Sequence, residues 1–247
     1  MENNELFYPQ ICAELGGYVF EEGIEIQVSS EKTSRGDWAK VRFAREFANE
    51  IQLVQGADAV IQLGYGGVLD EVFLGYIAQG DTGGEIVLKD EMLLLERTGI
   101  CETFQDATPQ EIIRFILARC GITQMRLSEE VYPAKRMVPM PLQSAAAAIE
   151  AVNSAWGIQN AFFFRSGVFH WGTVPEQEKI YTFEYGVNIL SLNRVGGTWE
   201  LETVSAPFVR HSQVIQVEHP QYRGDAEVRK VLFTTNDAGF VRTFIYF

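Results

Sequence analysis

The sequence predicts an α+β protein, with strands at both ends of the chain and two helices between them. Three observations carry this. Apolar residues alternate with polar ones at period two over about the first 88 residues. Two capped stretches with helical spacing come next, within 89–178. Alternation and turn dipeptides return from 179 to 247. Those limits, 1–88, 89–178 and 179–247, are the expected domains.

The first third is read as strands. Ile24, Ile26 and Val28 in "VFEEGIEIQVSSE" mark a strand, and "DAVIQLGY" marks another. Trp38 to Val54 is ambiguous, because Phe43, Phe47, Ile51 and Val54 suit a helix while "KVRFA" suits a strand. Gly64, Gly66 and Gly67 then pose a question. A dinucleotide fingerprint needs G-x-G-x-x-G between strand and helix, and a P-loop needs GK[ST]. The next residues, "VLDEVFLGYI", are a strand by composition, so the glycines are expected to turn a hairpin. "GDTGGE" has turn composition.

In the middle third, Thr108 is a good N-cap, Pro109 suits the first helical position and Glu111 completes a capping box. Ile112, Ile113, Ile116, Leu117 and Cys120 form one stripe, stopped by Gly121. A second helix is expected from Ser144 to Trp156, burying Ile149, Val152 and Trp156 and ending at Gly157. "VYPAKRMVPMP" reads as extended, and "AFFFRSGVFHWG" as a hairpin turning at Ser166-Gly167. The last third turns at Gly196-Gly197, continues with Trp199, Leu201 and Thr203 alternating, and makes its final turn at "NDAG".

Composition narrows the function. The hydrophobic share of 47% and charged share of 21% are ordinary for a globular protein. The start of the chain lacks a signal-peptide pattern and no run approaches the ~20 apolar residues of a membrane span, so synthesis and first residence in the cytosol are expected, with no membrane span. Three dispersed cysteines, Cys12, Cys101 and Cys120, form neither a disulfide framework nor a zinc motif. The net charge of −13 disfavours binding through phosphate neutralisation. Most of it lies in residues 1–88, with five basic against fifteen acidic residues, whereas 179–247 carries seven of each.

No catalytic, cofactor-binding or metal-binding residues emerge, and no cofactor is expected. Cys120 sits on a helix stripe as a small apolar residue. His170 lies in a strand between Phe169 and Trp171, a packing or pore-facing position. His211 and His219, if on one strand, stand roughly 26 Å apart, too far to share a metal. Ser166 lacks the G-x-S-x-G elbow. Asp70-Glu71 and Glu129-Glu130 are carboxylate pairs without glycosidase support. Trp38, Trp156, Trp171 and Trp199 lie in periodic segments and read as core.

Four segments, in order, resemble one family. "GADAVIQLGYGGVLDEVFLGYIAQG" is similar to the first barrel of phage baseplate hub proteins, which include late control protein D, the T4-like hub and the hub half of VgrG. "LLERTGICETFQDATPQEIIRFILARCGI" resembles that family's short strand, Asp-Thr cap and glycine-ended helix. "FRSGVFHWGTVPE" resembles its next hairpin, and the segment from "FEYGVNIL" to "FVRTFIYF" its closing barrel. Two departures stand out. The chain is shorter than many hubs, which weighs against a lytic domain, and Ala226 stands where an aromatic is commoner.

The resemblance implies two tail-tube-type antiparallel β-barrels flanking a small α/β insertion. It implies a structural, non-enzymatic role in the tail baseplate of a phage, prophage or contractile injection system, assembled in the bacterial cytoplasm. It further implies a homotrimer whose six barrels adapt a sixfold tail tube to a trimeric spike. The implied partners are the tube, spike and tape-measure proteins, and DNA passes through the channel without specific binding. An acidic lumen would repel its phosphates. The rival readings are a tail-associated cell-wall hydrolase, requiring a Cys/His or carboxylate cluster in a cleft, and a β-rich carbohydrate- or protein-binding module, requiring an exposed aromatic patch.

Overall fold

The computed structural model describes residues 9–32, 36–44, 51–80, 84–235 and 240–247. The chain divides into two compact units, Met1–Asp90 with Pro175–Phe247, and Glu91–Val174. The expected NDAG turn falls outside the described residues, as does much of the ambiguous stretch before Val54; the part that is described begins as a strand, Trp38–Phe43.

The first unit opens with β1 (Pro9–Leu15), β2 (Tyr18–Phe20), β3 (Ile24–Glu31), β4 (Trp38–Phe43), β5 (Asp58–Tyr65), β6 (Val68–Gln79) and β7 (Glu85–Lys89). The second unit holds α1 (Met92–Arg97), β8 (Gly99–Ala107), α2 (Pro109–Arg119), β9 (Met125–Leu127), β10 (Lys135–Ser144), α3 (Ala145–Trp156), β11 (Phe162–Arg165) and β12 (Val168–Trp171). The chain then returns to the first unit with β13 (Tyr181–Glu184), β14 (Ile189–Val195), β15 (Thr198–Val204), β16 (Val214–His219), β17 (Tyr222–Glu227), β18 (Lys230–Thr235) and β19 (Val241–Tyr246). Antiparallel strand pairing predominates, as the alternation predicts.

The question posed by Gly64-Tyr65-Gly66-Gly67 is settled by register. Tyr65 pairs with Val68, so Gly66 and Gly67 are a two-residue loop, with φ of 58° and 83°. Both values are left-handed, as a type I′ turn requires, and glycine adopts them without strain. Ser166-Gly167 does the same between β11 and β12, Ser166 holding φ 48°.

Pairing of strands corrects one expectation. Instead of two separate closed barrels, the described strands form open sheets, and the largest is shared by both halves of the first unit. Its order is β14-β15-β19-β18-β3-β4-β7-β6-β5-β1-β2. The physical reason is the junction of β18 with β3: Phe233 pairs with Val28 and Val231 with Ser30, so the C-terminal half completes the edge of the N-terminal one. A second sheet, β13-β16-β17, includes a parallel pair between β13 and β16. Inward residues of both halves, among them Val28, Ile61, Leu88, Phe183, Leu201, Val217 and Ile245, make one apolar core.

In the second unit, α2 carries its full capping box. Thr108 Oγ1 accepts from the Glu111 amide at 3.4 Å, and the Glu111 carboxylate accepts from the Thr108 amide at 2.8 Å. Ser144 caps α3, accepting from the Ala147 amide at 3.2 Å, and Gly157 ends it with φ 68°. Ala145, Ala148, Ile149 and Val152 form the buried stripe; Trp156 is only half-buried. Two elements go beyond the sequence reading. The six-residue α1 is a third helix among the described residues, with Met92 and Leu95 buried. The nine-residue β8 is longer than expected and pairs with β10 as a two-stranded ribbon. Its partner carries Pro139 and Pro141, which an outer edge tolerates because they withhold no amide from a ladder.

Candidate functional site

The first unit presents one side of its large sheet to the core and the other to solvent, and the latter carries charges in complementary rows. Arg42 on β4 lies 3.3 Å from Glu25 on β3 and 3.0 Å from Glu85 on β7, and Lys40 lies 3.4 Å from Glu85. Lys230 on β18 faces Glu31 on β3 at 3.8 Å, across the junction between halves. Arg242 on β19 faces Glu202 on β15 at 3.8 Å. Arg42 and Lys40 hold the Glu85 carboxyl below its ordinary range. Exposed pairs of this kind contribute little stability individually; what they favour is register, because like charges directly opposite would oppose it. Several carboxylates of the acidic first third are therefore matched by cations on adjacent strands.

Behind this sheet, the loop from β15 to β16 is tied to the β5–β6 hairpin. The Tyr65 hydroxyl donates to the Ser205 carbonyl at 2.7 Å. The Arg210 guanidinium donates to the carbonyls of Pro207 and Val209 in its own loop and of Glu71 on β6. Burial pulls the Arg210 pKa down, opposed by Asp70, Glu71 and Asp37 nearby. Sequence reasoning missed this clamp. Arg210 sits in "FVRHS", and nothing local marks an arginine that folds back onto backbone carbonyls.

The residues singled out in the sequence do not converge. His170 is buried and stacked on Phe163, centroids 5.2 Å apart, with Nδ1 3.1 Å from Thr173 Oγ1. Burial, then Arg165 and Arg126, lower its pKa. His211 and His219 do not share a strand: His211 lies in the turn before β16, with Nδ1 2.9 Å from Ser212 Oγ. His219 ends β16, where Nδ1 accepts from the Gln221 amide at 3.2 Å. Burial raises the thiol pKa of both Cys12 and Cys120, the reverse of activation.

Asp70 and Glu71 lie on β6 opposite Leu63 and Gln62. Glu129 and Glu130 belong to a loop over the start of α2, held where Gln110 Nε2 donates to the Ser128 and Glu130 carbonyls at 3.1 and 2.8 Å. Tyr132 donates to Glu130 at 2.7 Å, which occupies that carboxylate. Of the tryptophans, Trp171 is fully buried with its indole N–H on Asn153 at 2.8 Å, while Trp38, Trp156 and Trp199 are half-buried. Among the described residues no three His, Cys, Asp or Glu side chains group as metal ligands. No helix there is long and apolar enough to cross a membrane.

What the arrangement offers is extended surface and two ends of a sheet. Among the described residues β14 has a strand, β15, on one side only, apart from a single bridge from Tyr185 to Ile189, and β2 has β1 on one side only. Leu190 and Val195 on β14 and Tyr18 and Val19 on β2 are exposed apolar side chains.

No protein-family model and no curated protein matches the chain. Solved structures do. A 43 kDa tail protein of prophage MuSo2 from Shewanella oneidensis is similar over 96% of this chain and 97% of its own, with a TM-score of 0.71 at 11% identity. A tail protein from Neisseria meningitidis MC58 is similar over 97% and 96%, with a TM-score of 0.73 at 10% identity. The E. coli c3393 protein is a component of the type VI secretion system with structural similarity to the T4 bacteriophage tail proteins gp27 and gp5. It is similar over 90% of this chain and 72% of its own, with a TM-score of 0.67 at 14% identity. At such identities the likeness establishes the fold and no more. The chain has the fold of phage tail proteins and of a tail-like secretion component, in keeping with the resemblance of its four motifs.

Proposed function

We propose that this chain is a structural subunit of a phage-type tail, a baseplate hub that assembles as a trimeric ring around a channel and joins a sixfold tube to a trimeric spike. The observation that carries the reading is likeness along nearly the whole of both chains to tail proteins, 96% of this one and 97% of the prophage protein. Physical features agree with it. The first unit places most of its strands in one eleven-stranded sheet whose two ends carry no further strand among the described residues, a construction suited to joining further strands. Its two halves are tail-tube-type modules, so that three chains supply six around the axis. The role is assembly rather than catalysis, its site is the tail tip of the virion, and its partners are the tube, spike and tape-measure proteins. Nucleic acid passes without being bound. The acidic excess of the first third favours this, because a negative wall repels phosphates rather than capturing them.

Light scattering behind a sizing column, then negative-stain imaging, tests the reading. A species of three times the chain mass, seen end-on as a torus with sixfold appearance, is the expected result. A particle of another stoichiometry, or one without a central opening, overturns it.

A further inference from the structure

The first unit contains an incomplete internal repeat. In the N-terminal half, the β3–β4 hairpin is extended on its β4 side by β7; in the C-terminal half, the β14–β15 hairpin is extended on its β15 side by β19. The inward rows correspond. Val28, Ala39 and Leu88 lie side by side across the first three strands, and Leu192, Leu201 and Ile245 across the second three, all buried.

The outer edges are treated differently. β18 covers β3 from Gln27 to Glu31, and Ser29 and Ser30 there are only 3% exposed. The corresponding edge of β14 has no strand upon it among the described residues, apart from a bridge between Tyr185 and Ile189 at its start. Leu190 and Val195 are left 50% and 54% exposed. Arg194 is the one charged residue on this edge, and an edge strand that also exposes two large apolar side chains is one that proteins ordinarily cover or pair.

At the opposite end of the same sheet, too, no further strand lies beyond β2 among the described residues. β2 covers β1 only over Ala13–Leu15, so the Pro9–Cys12 stretch has β5 on one side and, on the other, a groove of about 600 Å³ reaching to Ile24. Val19 there is 61% exposed. The ends also differ in charge. Glu14, Glu21 and Glu22 are exposed around β2, while Arg194 is exposed on β14.

We propose that β14 of one copy adds to the β1–β2 end of the sheet in the next copy, head to tail, carrying the sheet across the boundary between copies. The inference rests on the assembly reading above and deepens it by naming the joint. A second copy is the fitting occupant because the chain already makes the equivalent joint within itself, where β18 closes β3. Both ends belong to one sheet, so their twist matches. Exposed apolar residues meet, and Arg194 approaches the three glutamates. Such a contact is heterologous, joining different surfaces of identical chains, and it closes a ring when its rotation divides a full turn.

The test uses two variants with charge placed only on exposed positions: Leu190→Lys with Val195→Lys at one end, and Val19→Lys at the other. Circular dichroism and thermal unfolding confirm that each is folded. Light scattering over a concentration series then reads assembly. The expected result is an assembled wild type, and at least a tenfold weaker self-association for each variant. Mixing the two variants restores one intact joint, so a heterodimer forms that neither makes alone. That rescue distinguishes a head-to-tail joint from a loss of fold and from a symmetric interface. Variants that assemble like wild type into threefold particles overturn the joint and leave the hub reading standing. A mixture that stays monomeric overturns the joint as well. A wild type that is monomeric throughout overturns both.

Discussion

The glycines of the β5–β6 hairpin do two different jobs, and substitution by alanine separates them. Gly66 has φ 58° and open space around the position of a Cβ. An alanine there meets only the left-handed backbone penalty, about 1–2 kcal/mol. Gly64 is two residues away and has no left-handed φ. A Cβ on Gly64 would stand 2.8 Å from Leu69 Cα and 2.8 Å from the Val68 carbonyl carbon, and closer still to the Val68 oxygen. Those atoms are backbone of the partner strand and cannot rotate aside, so the strands must part. The cost is about 3 kcal/mol or more, at the top of the range for overpacking. Urea unfolding at constant m-value measures both. For a chain of this size each kcal/mol lowers Tm by about 2–4 °C, so Gly64→Ala should lose about 6–12 °C. Gly66→Asn, whose side chain tolerates the left-handed region, should lose much less than Gly66→Ala. If Gly64→Ala proves no more costly than Gly66→Ala, the close approach of β5 and β6 is wrong, and with it the register that makes this segment a hairpin.

Caps, clamps and buried hydroxyls can be probed in the same way. Thr108→Ala removes the N-cap of α2 and should cost about 1 kcal/mol in denaturant unfolding. The Thr108 amide, then its hydroxyl, hold the Glu111 carboxyl below its ordinary pKa, so this cap stabilises above the ordinary carboxylate range and is lost as pH falls through the depressed value; Glu111→Gln should flatten that part of the acid-unfolding curve. Tyr65→Phe deletes the bond to the Ser205 carbonyl, worth about 1 kcal/mol, and Arg210→Lys should be destabilising despite keeping the charge, because an ammonium cannot reach three carbonyls with a planar fork; equal thermal stability of Arg210→Lys and wild type would count against the clamp. Tyr246 is pushed up to about 12 by burial and then by its hydrogen bond to Glu200. Its folded pKa lies above the unfolded one, so its contribution is present below pH ~10 and lost between ~10 and 12; absorbance titration should lose its last phenolate step in Tyr246→Phe.

Local chemistry was the legible part of this sequence. The caps of α2 and α3, the hairpins at Gly66-Gly67 and Ser166-Gly167, and the stripe of α2 each depend on residues a few positions apart, whose preferences act wherever they occur. Elements with weak patterning were not legible. The strand β8, "GICETFQDA", leaves only Ile100 buried among nine residues, so neither face announces itself. α1 spans less than two turns, too few for a period to show. Whether His211 shares a strand with His219 was open in the sequence for a related reason: the strand containing His219 begins at Val214, after a turn whose Ser212 takes φ 63°, a conformation that serine does not advertise.

The long-range joint explains what the rest of the pattern could not supply. Alternation in β3 and β18 says that each has one buried face, but pairing of two such strands is decided by the whole core, and Gln27 to Glu31 find their partners about two hundred residues away at Lys230 to Thr234. From sequence alone, each half therefore looks like a module that closes on itself. In the structure the N-terminal half is completed by the C-terminal half, while β14 of the C-terminal half has no outer strand among the described residues. An edge that one half covers and the other exposes is the asymmetry a head-to-tail assembly by strand addition needs, because this sheet ends where another can begin.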